Sequence, residues 1–470
     1  MNQPPAPPPP VSDYRAAVGP VAAKLFDHNI VVAVDSRGES VMVRPDRILI
    51  PVSSNADVER AAEVLKRLGY EYSVRDDGRQ GRDRAPVAVS VSIAKVPVEI
   101  AGERRWSVAA VAKAWAELRS EGLPAAANYV YVGSPFYTGS PFYTGSPFYT
   151  GSPFYTGSPF YTGSPFYTGS GKPFSSVLPA DEPALTARLD LASKNGDRPR
   201  VLVLDTGMCT DLQKPPGVAH PALQDSVIVH STWRDSSDFT AQDDEDEADV
   251  DDDGSLELEA GHGTFIAGII RRLCPDAEVH IDGVLSSFGD GDDLSIGDGI
   301  ARATERLGGD GFDVVVMSLG TYTDDDRPPP LTRWIEQYLG ASVVVAAAGN
   351  SASPRPCYPA ALCDVVGVGA LDSSGRAWFS NYGGWVDACA PGVDVVSTFF
   401  SGVTDKVNDL TREFDGWATW SGTSFSAPKV AAAIAQEMYV SGGSASEAWH
   451  RLSDWKKFRY PDLGIVFNII

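Results

Sequence analysis

Three short stretches of the sequence contain the residue types that nucleophilic catalysis needs, in the order aspartate, histidine, serine. Asp205 ends the apolar run VLVLDTG, His262 stands in GHGTFIAGII, and Ser424 stands in WSGTSFSAPKV. A serine hydroxyl is a weak nucleophile at neutral pH and needs a base to accept its proton. Imidazole suits that task, and a carboxylate on its second nitrogen fixes the tautomer and stabilises the imidazolium. The pattern therefore predicts His262 as base, Asp205 as its orienting group and Ser424 as nucleophile.

A nucleophilic serine also requires donors for the oxyanion that forms during acyl transfer. The residues around Ser424 are typical of a helix start, with Pro428 expected in the first turn, and helix N-terminal N–H groups favour negative charge. The side-chain amide of Asn350, in AAAGNS, is a second candidate donor. Simpler explanations exist for each residue: Asp205 as a turn former, His262 as an N-terminal helix residue with a structural hydrogen bond, Ser424 as a helix cap and Asn350 as a left-handed turn residue. No packing requirement accounts for all of them in this order.

The motifs D-T-G, H-G-T-x-x-A-G and G-T-S-x-S-x-P, in this order, resemble those of the subtilisin-like serine proteases, the subtilase family or peptidase family S8. The resemblance covers residues 197–470. It implies a serine endopeptidase that works through an Asp-His-Ser triad and an acyl-enzyme intermediate. In that family the position of Asn350 completes the oxyanion hole.

The resemblance also implies where a peptide or protein substrate lies. Substrates of the family add as a strand along a segment that is Ser318, Leu319 and Gly320 in this sequence. A pocket for the side chain before the cut bond would have Cys357 and Tyr358 behind it. Its second wall would be formed by Ala347, Ala348 and Gly349. Small walls leave room for a large apolar side chain, but they equally let neighbouring strands and helices approach closely.

The elements that must position these residues follow an alternating pattern. Apolar, β-branched runs such as VLVLD, DVVVM and SVVVAAA are typical of strands buried on both faces of a parallel sheet. Helical patterns lie between them, so residues 197–470 are predicted to form an α/β domain with a mostly parallel sheet and helices on both faces. Ligands of such sheets bind beyond the carboxyl ends of the strands, where the three motifs fall.

A second domain is predicted ahead of this one. Residues 1–28 are rich in proline and are expected to be disordered. Residues 29–132 read as β-α-β-β-α-β, the order of a small α+β, ferredoxin-like unit, with Asn55 as a candidate helix cap. By resemblance this unit is the family's propeptide, an intramolecular inhibitor and folding partner of the protease.

Six copies of the hexapeptide GSPFYT, residues 133–168, stand within a predicted linker of residues 133–196. Gly, Ser and Pro in every unit prevent a continuous helix or central strand. One interpretation is a tandem duplication that a surface connection tolerates. The other is an exposed processing linker, which predicts autocleavage within residues 133–175, after Phe or Tyr.

The chain is strongly acidic, with 39 Lys and Arg against 62 Asp and Glu. Such a charge repels phosphate backbones, so nucleic acid is not expected as a partner. Nine of the eleven residues from 243 to 253 are acidic. Asp249, Asp251 and Asp253 fit the start of a calcium loop, but the closing Glu is missing. A solvated acidic loop is the main interpretation, with no cofactor and no metal; calcium is the alternative.

The five cysteines contain no CxxC pair and are expected to be reduced. The sequence shows no secretory signal and no apolar window long enough to span a membrane, which predicts a cytoplasmic protein without a membrane partner. Two further functions stay open at this point. One is a catalytically silent peptide-binding protein on a subtilisin-like fold, and the other is a scaffold whose repeats bind partners.

Overall fold

The computed structural model describes a set of ranges that omits the N-terminus and most of the linker. These are residues 27–34, 40–75, 87–100, 102–133, 135–136, 174–175, 198–208, 220, 223, 227–231, 246, 248, 254, 256–307, 311–407, 410–454 and 457–467. The predictions for residues 1–26, for the repeats after Phe136 and for Asp249, Asp251 and Asp253 lie outside the described residues.

The N-terminal unit, residues 27–133, contains an antiparallel sheet with the strand order β7-β2-β4-β3. Its elements are β1 (Val31–Val34), β2 (Ser40–Pro51), α1 (Asn55–Leu68), β3 (Tyr72–Arg75), β4 (Ala88–Ser92), β5 (Pro97–Ile100), β6 (Glu103–Trp106), α2 (Ala109–Ser120) and β7 (Ala126–Gly133). The hairpin β5–β6 was not predicted, because the sequence pattern indicated one strand region from β4 through β5. With that hairpin set aside, the order is that of the split βαβ unit.

Alternate residues of the central strand β2 point to two different cores, because side chains alternate across a strand. Ile48 and Ile50 pack with α1 and α2 in one core. Leu49 packs into a second core that belongs mainly to the C-terminal half of the chain. The N-terminal unit therefore has one face covered by its own helices and the other by the rest of the protein.

The cap of α1 is Ser54 and not Asn55. Ser54 has the extended backbone of a cap residue and its hydroxyl accepts a hydrogen bond from the Asp57 N–H at 3.3 Å. Asn55 is already the first helical residue. Both residue types are good caps, so the local sequence did not discriminate between adjacent positions.

The C-terminal half folds around a sheet of order β11-β12-β10-β14-β16-β17-β19-β23-β22. The elements after β7 are β8 (Pro135–Phe136), β9 (Phe174–Ser175), β10 (Arg200–Asp205), β11 (Val227–Ser231), α3 (His262–Leu273), β12 (Glu278–Gly283), β13 (Asp290–Asp292), α4 (Asp293–Arg306), β14 (Val314–Met317), β15 (Leu319–Gly320), α5 (Thr332–Tyr338), β16 (Val343–Ala347), β17 (Val365–Asp372), β18 (Gly375–Arg376), β19 (Ala388–Pro391), β20 (Val395–Val407), β21 (Leu410–Gly422), α6 (Thr423–Ser441), α7 (Ala445–Leu452), β22 (Arg459–Tyr460) and β23 (Gly464–Val466). The pairings from β11 to β23 are parallel. The predicted α/β class is confirmed.

Strand β10 shows why this sheet is apolar throughout. Val201 and Val203 pack on one face, in a core shared with α3 and α6. Leu202 and Leu204 pack on the other face, in the core shared with α4 and α5. A strand covered on both faces reads as a continuous apolar run, which is the pattern that the sequence showed.

The linker enters and leaves along one strand edge. Phe136 lies opposite Ser421 of β21, and Phe174 lies opposite Thr419. These phenylalanines are 38 residues apart in the chain, but their partners are only two positions apart along β21. A continuous strand along β21 would therefore need 36 residues fewer between them. Six GSPFYT units have this length.

Strand β7 joins the two halves of the molecule. Val132 pairs antiparallel with Asp290 of β13 and also with Gly320 of β15, and Gly133 pairs with Leu319. The C-terminal end of the N-terminal unit thus lies as a strand between two strands of the other half.

Candidate active site

Asp205 and His262 form the first link of the expected triad. Asp205 is the last residue of β10 and His262 is the first residue of α3. The Nδ1 atom of His262 lies 2.7 Å from Oδ1 of Asp205, and both side chains are fully buried. The same Oδ1 accepts a hydrogen bond from the Thr206 N–H at 2.8 Å. This carboxylate therefore holds the imidazole by its Nδ1 side.

The imidazole of His262 packs against two aromatic side chains, and its second ring nitrogen is buried. The rings of Trp420 and Phe425 each lie edge-on at 5.4 Å from the imidazole. Within the described part of the chain, Nε2 has no hydrogen-bond partner. A buried nitrogen without a partner costs free energy, so its availability to an incoming hydroxyl is a feature of the site.

Ser424 is the second residue of α6, and its hydroxyl faces the strand segment at Ser318. Ser424 Oγ donates to the Ser318 carbonyl oxygen at 3.1 Å, and the Ser318 hydroxyl donates to the Ser424 carbonyl oxygen at 2.9 Å. That carbonyl lacks its usual helical partner because residue i+4 is Pro428, which has no N–H. Pro428 lies in the second turn of α6, one turn later than the sequence predicted. These two reciprocal hydrogen bonds hold Ser318 next to Ser424.

Asn350 is anchored against the start of the same helix. Its Oδ1 accepts from the Thr423 N–H at 3.0 Å and from the Thr423 hydroxyl at 2.9 Å. The Thr423 hydroxyl in turn accepts from the Gly349 N–H at 3.1 Å. With Oδ1 committed to Thr423, the amide orientation next to Ser424 is fixed, and Nδ2 is the end that can donate.

The expected pocket residues lie at the ends of buried strands. Ala347 ends β16, and Gly349 has the left-handed backbone that glycine favours, with φ 95°. A Cβ on Gly349 would lie 2.6 Å from Nδ2 of Asn381. Asn381 donates to the Ala348 carbonyl oxygen at 2.8 Å, so in this structure the missing side chain of Gly349 accommodates an amide of the protein. No motif in the sequence pointed to Asn381.

Leu319 and Gly320 occupy the position that the family resemblance implies for a substrate-binding edge. Both are buried, and their antiparallel partners are Gly133 and Val132 of the same chain. Cys357 and Tyr358 are buried nearby, and burial raises the pKa of the Cys357 thiol to about 12. The described cysteines are free.

Asp246 lies within the acidic run and was not predicted as a site residue, but it contacts the segments that carry Asp205 and His262. It is 3% exposed, contrary to the expectation of a solvated loop for this stretch. Its carboxyl accepts from the Thr206 hydroxyl at 2.9 Å and from the Gly261 N–H at 3.0 Å. Burial, with the Asp205 carboxylate adding to it, raises the pKa of Asp246 to about 8. Asp246 thus ties the Asp-Thr-Gly turn to the start of the helix that carries His262.

No group of three or more His, Cys, Asp or Glu side chains suited to a metal ion occurs among the described residues. Helices long and apolar enough to cross a membrane are likewise missing from that part of the chain.

Comparison with known proteins agrees with this architecture. The family model described as "Subtilase family", Peptidase_S8, matches residues 196–449. Subtilisin DY of Bacillus licheniformis is 36% identical over 210 residues, which are 41% of this chain and 69% of that protein. Subtilisin Savinase of Lederbergia lenta is 35% identical over 190 residues, 37% of this chain and 62% of that protein. The chain belongs to the subtilase family, as the motifs predicted.

Two further matches are partial. The alkaline protease of Alkalihalobacillus alcalophilus is 35% identical over 190 residues, so the match spans 44% of that relative's length. A solved structure of a cold adapted subtilisin-like serine proteinase matches at 22% identity with a TM-score of 0.41, covering 58% of this chain and 88% of that chain.

Proposed function

We propose that the chain is a serine endopeptidase whose own N-terminal unit occupies its substrate cleft. The observation that carries the proposal is the buried Asp205–His262 hydrogen bond, on a chain of the subtilase family that has Ser424 at the start of α6. His262 takes the proton of the Ser424 hydroxyl as Oγ attacks a peptide carbonyl, and Asp205 stabilises the imidazolium that forms. His262 then returns the proton to the leaving amine, and water hydrolyses the acyl-enzyme by the same route.

The oxyanion in this mechanism is stabilised from two directions. The N-terminal N–H groups of α6 surround Ser424 and favour negative charge. Asn350, held by Thr423, donates from the other side. Such donors act before the reaction begins because the backbone already fixes them, which is why they lower the barrier.

The inhibitory part of the proposal rests on how β7 is seated. Asp205, His262 and Ser424 are all fully buried, so a substrate has no access while the N-terminal unit is in place. Strand β7 pairs with β13 and β15, and the Thr321 hydroxyl donates to the Val130 carbonyl oxygen at 2.7 Å. Residues 29–132 are then the inhibitor, 133–196 the linker that is processed and 197–470 the catalytic domain.

Covalent labelling tests the catalytic proposal. A fluorophosphonate is expected to add to Ser424 on prolonged incubation, and Ser424→Ala is expected to take up no label. The variant should also lose peptide hydrolysis by on the order of 10⁶, the loss known for removal of the nucleophile in subtilisin. Ser441→Ala, at the exposed end of the same helix, is the matched control and should label like the parent. Activity of Ser424→Ala within tenfold of the parent would contradict the proposal.

A further inference from the structure

Glu259 is a buried carboxyl that the catalytic mechanism does not use. It stands three residues before His262, and its carbonyl oxygen accepts from the His262 N–H at 3.0 Å. Its own N–H donates to the Ser287 carbonyl oxygen at 2.9 Å, so the backbone is fixed on both sides. The residue is 1% exposed, and its Oε2 atom has no hydrogen-bond partner among the described residues.

Two glycines lie against this carboxyl group. A Cβ on Gly133 would lie 1.5 Å from Oε2 of Glu259, and a Cβ on Gly289 would lie 2.2 Å from its Cδ. The Gly133 N–H donates to the Gly289 carbonyl oxygen at 3.0 Å, so the two backbones are in direct contact. Gly133 is in an extended strand, a conformation that any residue can adopt. Glycine is therefore required there by space and not by backbone conformation.

The place of Gly133 in the cleft defines a substrate position. Gly133 lies opposite Leu319. In an antiparallel register the next substrate residue faces Ser318, whose carbonyl oxygen is 3.1 Å from Ser424 Oγ. A substrate residue opposite Leu319 is then the second residue before the cut bond.

We propose that Glu259 fills this position of the cleft and makes the enzyme selective for glycine as the second residue before the cut bond. The proposal rests on the proposed endopeptidase function and adds a substrate class to it. A side chain at this position would have to displace a carboxyl that Gly289 confines from the other side, and forced overpacking of this kind is destabilising. Burial raises the pKa of Glu259, and the carboxylates of Asp205, Asp290 and Asp246 raise it further. The neutral acid can stay in this enclosure without a counter-ion.

The repeat array matches the proposed selectivity in its sequence. Gly133 is the first residue of the first GSPFYT unit, and each of the six units has a glycine in the same place. A glycine-selective cleft would accept every unit in the register of the first.

The steric claim can be tested without catalysis, in the full chain carrying Ser424→Ala. Gly133→Ala should raise the rate of amide hydrogen exchange over residues 127–133 about tenfold or more, because the added methyl group clashes with Glu259 and weakens the pairing of β7. Adding Glu259→Ala should return exchange to within about threefold of the parent. Adding Glu259→Gln, which keeps the volume and tests that the site still folds, should give no rescue. Unchanged exchange in Gly133→Ala, or equal exchange with and without Glu259→Ala, would overturn the proposal.

The selectivity claim is tested with two chromogenic peptides, Tyr-Val-Gly-Phe and Tyr-Val-Ala-Phe p-nitroanilide. The parent should prefer the glycine peptide about tenfold or more in kcat/KM, and Glu259→Ala should reduce the preference to within about threefold. The same preference in both enzymes would overturn the assignment. Failure of both peptides together with no fluorophosphonate label would contradict the proposed function instead, and the exchange measurements would still decide the role of Glu259.

Discussion

The two sides of the cleft are built from different chemistry. On the nucleophile side, Ser424, Thr423, Asn350 and Ser318 are joined by hydrogen bonds between neutral groups. The opposite side carries several buried carboxyl groups, among them Asp205, Asp246, Glu259, Asp290, Asp292 and Asp293. The first side needs no counter-charge, whereas the second depends on burial, hydrogen bonds and cations.

The N-terminal unit supplies much of what the acidic side needs. Arg44, 4% exposed, donates to Asp292 at 2.8 Å and to Asp290 at 3.1 Å. The imidazole of His28 lies 2.9 Å from Asp290. The Tyr131 hydroxyl donates to Asp293 at 2.9 Å. The candidate nucleophile and its oxyanion donors thus lie on the neutral side, while the acidic side holds both the Asp205–His262 pair and the polar contacts of Arg44, His28 and Tyr131.

Removing Arg44 should have the largest effect on this balance. Arg44→Ala leaves Asp290 and Asp292 buried without their cation, and breaking such a pair costs about 3–5 kcal/mol. We expect the N-terminal unit to open more often, so that Ser424 in the uncut chain reacts with a fluorophosphonate at least about 100-fold faster. Intact mass measured at early times follows the label on the uncut chain.

Arg67→Ala is the control for this comparison. Arg67 pairs with Glu121 on the exposed surface of the same unit, where an ion pair contributes about 0–1 kcal/mol. Its labelling rate should stay near that of the parent. Equal rates for Arg44→Ala and Arg67→Ala would show that charge at β13 does not hold the N-terminal unit.

A smaller effect is expected from replacing Asp246, and it concerns how the free energy of unfolding depends on pH. Its pKa is raised by burial from 3.8 to about 8, so between these values the native state holds a proton that the unfolded chain has lost. Stability then falls as pH rises from 5 to 8. Asp246→Asn keeps the hydrogen-bonding shape without the charge and should remove about 2–4 kcal/mol of that decrease.

Urea unfolding at pH 5 and pH 8, in chains that carry Ser424→Ala, measures this contribution. Asp364→Asn changes an exposed carboxyl and should leave the pH dependence as it is in the parent. The same pH dependence in Asp246→Asn and in the parent would mean that Asp246 is not protonated in the native state.

The smallest effect is expected from removing the repeats. Deleting residues 137–172 joins Phe136 to Pro173 and keeps Phe174 opposite Thr419. Because loop closure depends weakly on loop length, Tm should change by no more than about 4 °C, measured by calorimetry in the Ser424→Ala chain. Deleting residues 137–171 leaves one extra residue and slips the register, so it should lower Tm more. Equal Tm values for the two deletions would refute the strand continuity.

The candidate catalytic residues could be located in the sequence because each motif is contiguous and ends a strand or starts a helix. The residues that flank Asp205, His262 and Ser424 in the sequence indicate the strand end or helix start at which each one lies. Arg44 and Asp292 are 248 residues apart, and a pair that forms only by docking of two halves leaves no local pattern.

Two other features were missed for a different physical reason. Asp246 is one acidic residue in a run of nine, and composition made the whole run look solvated. Glu259 follows the same run, and its importance depends on how closely Gly133 and Gly289 approach it. Burial and approach are tertiary properties that residue types alone do not encode.

The central claim is that the cleft which β7 occupies is a working protease site that acts on its own linker. Intact-mass spectrometry of the purified full chain, followed over time beside Ser424→Ala, tests this claim most directly. We expect the parent to be cut within residues 133–175 and Ser424→Ala to stay full length. If both chains stay intact after long incubation, or if both are cut at the same bonds, the account is contradicted.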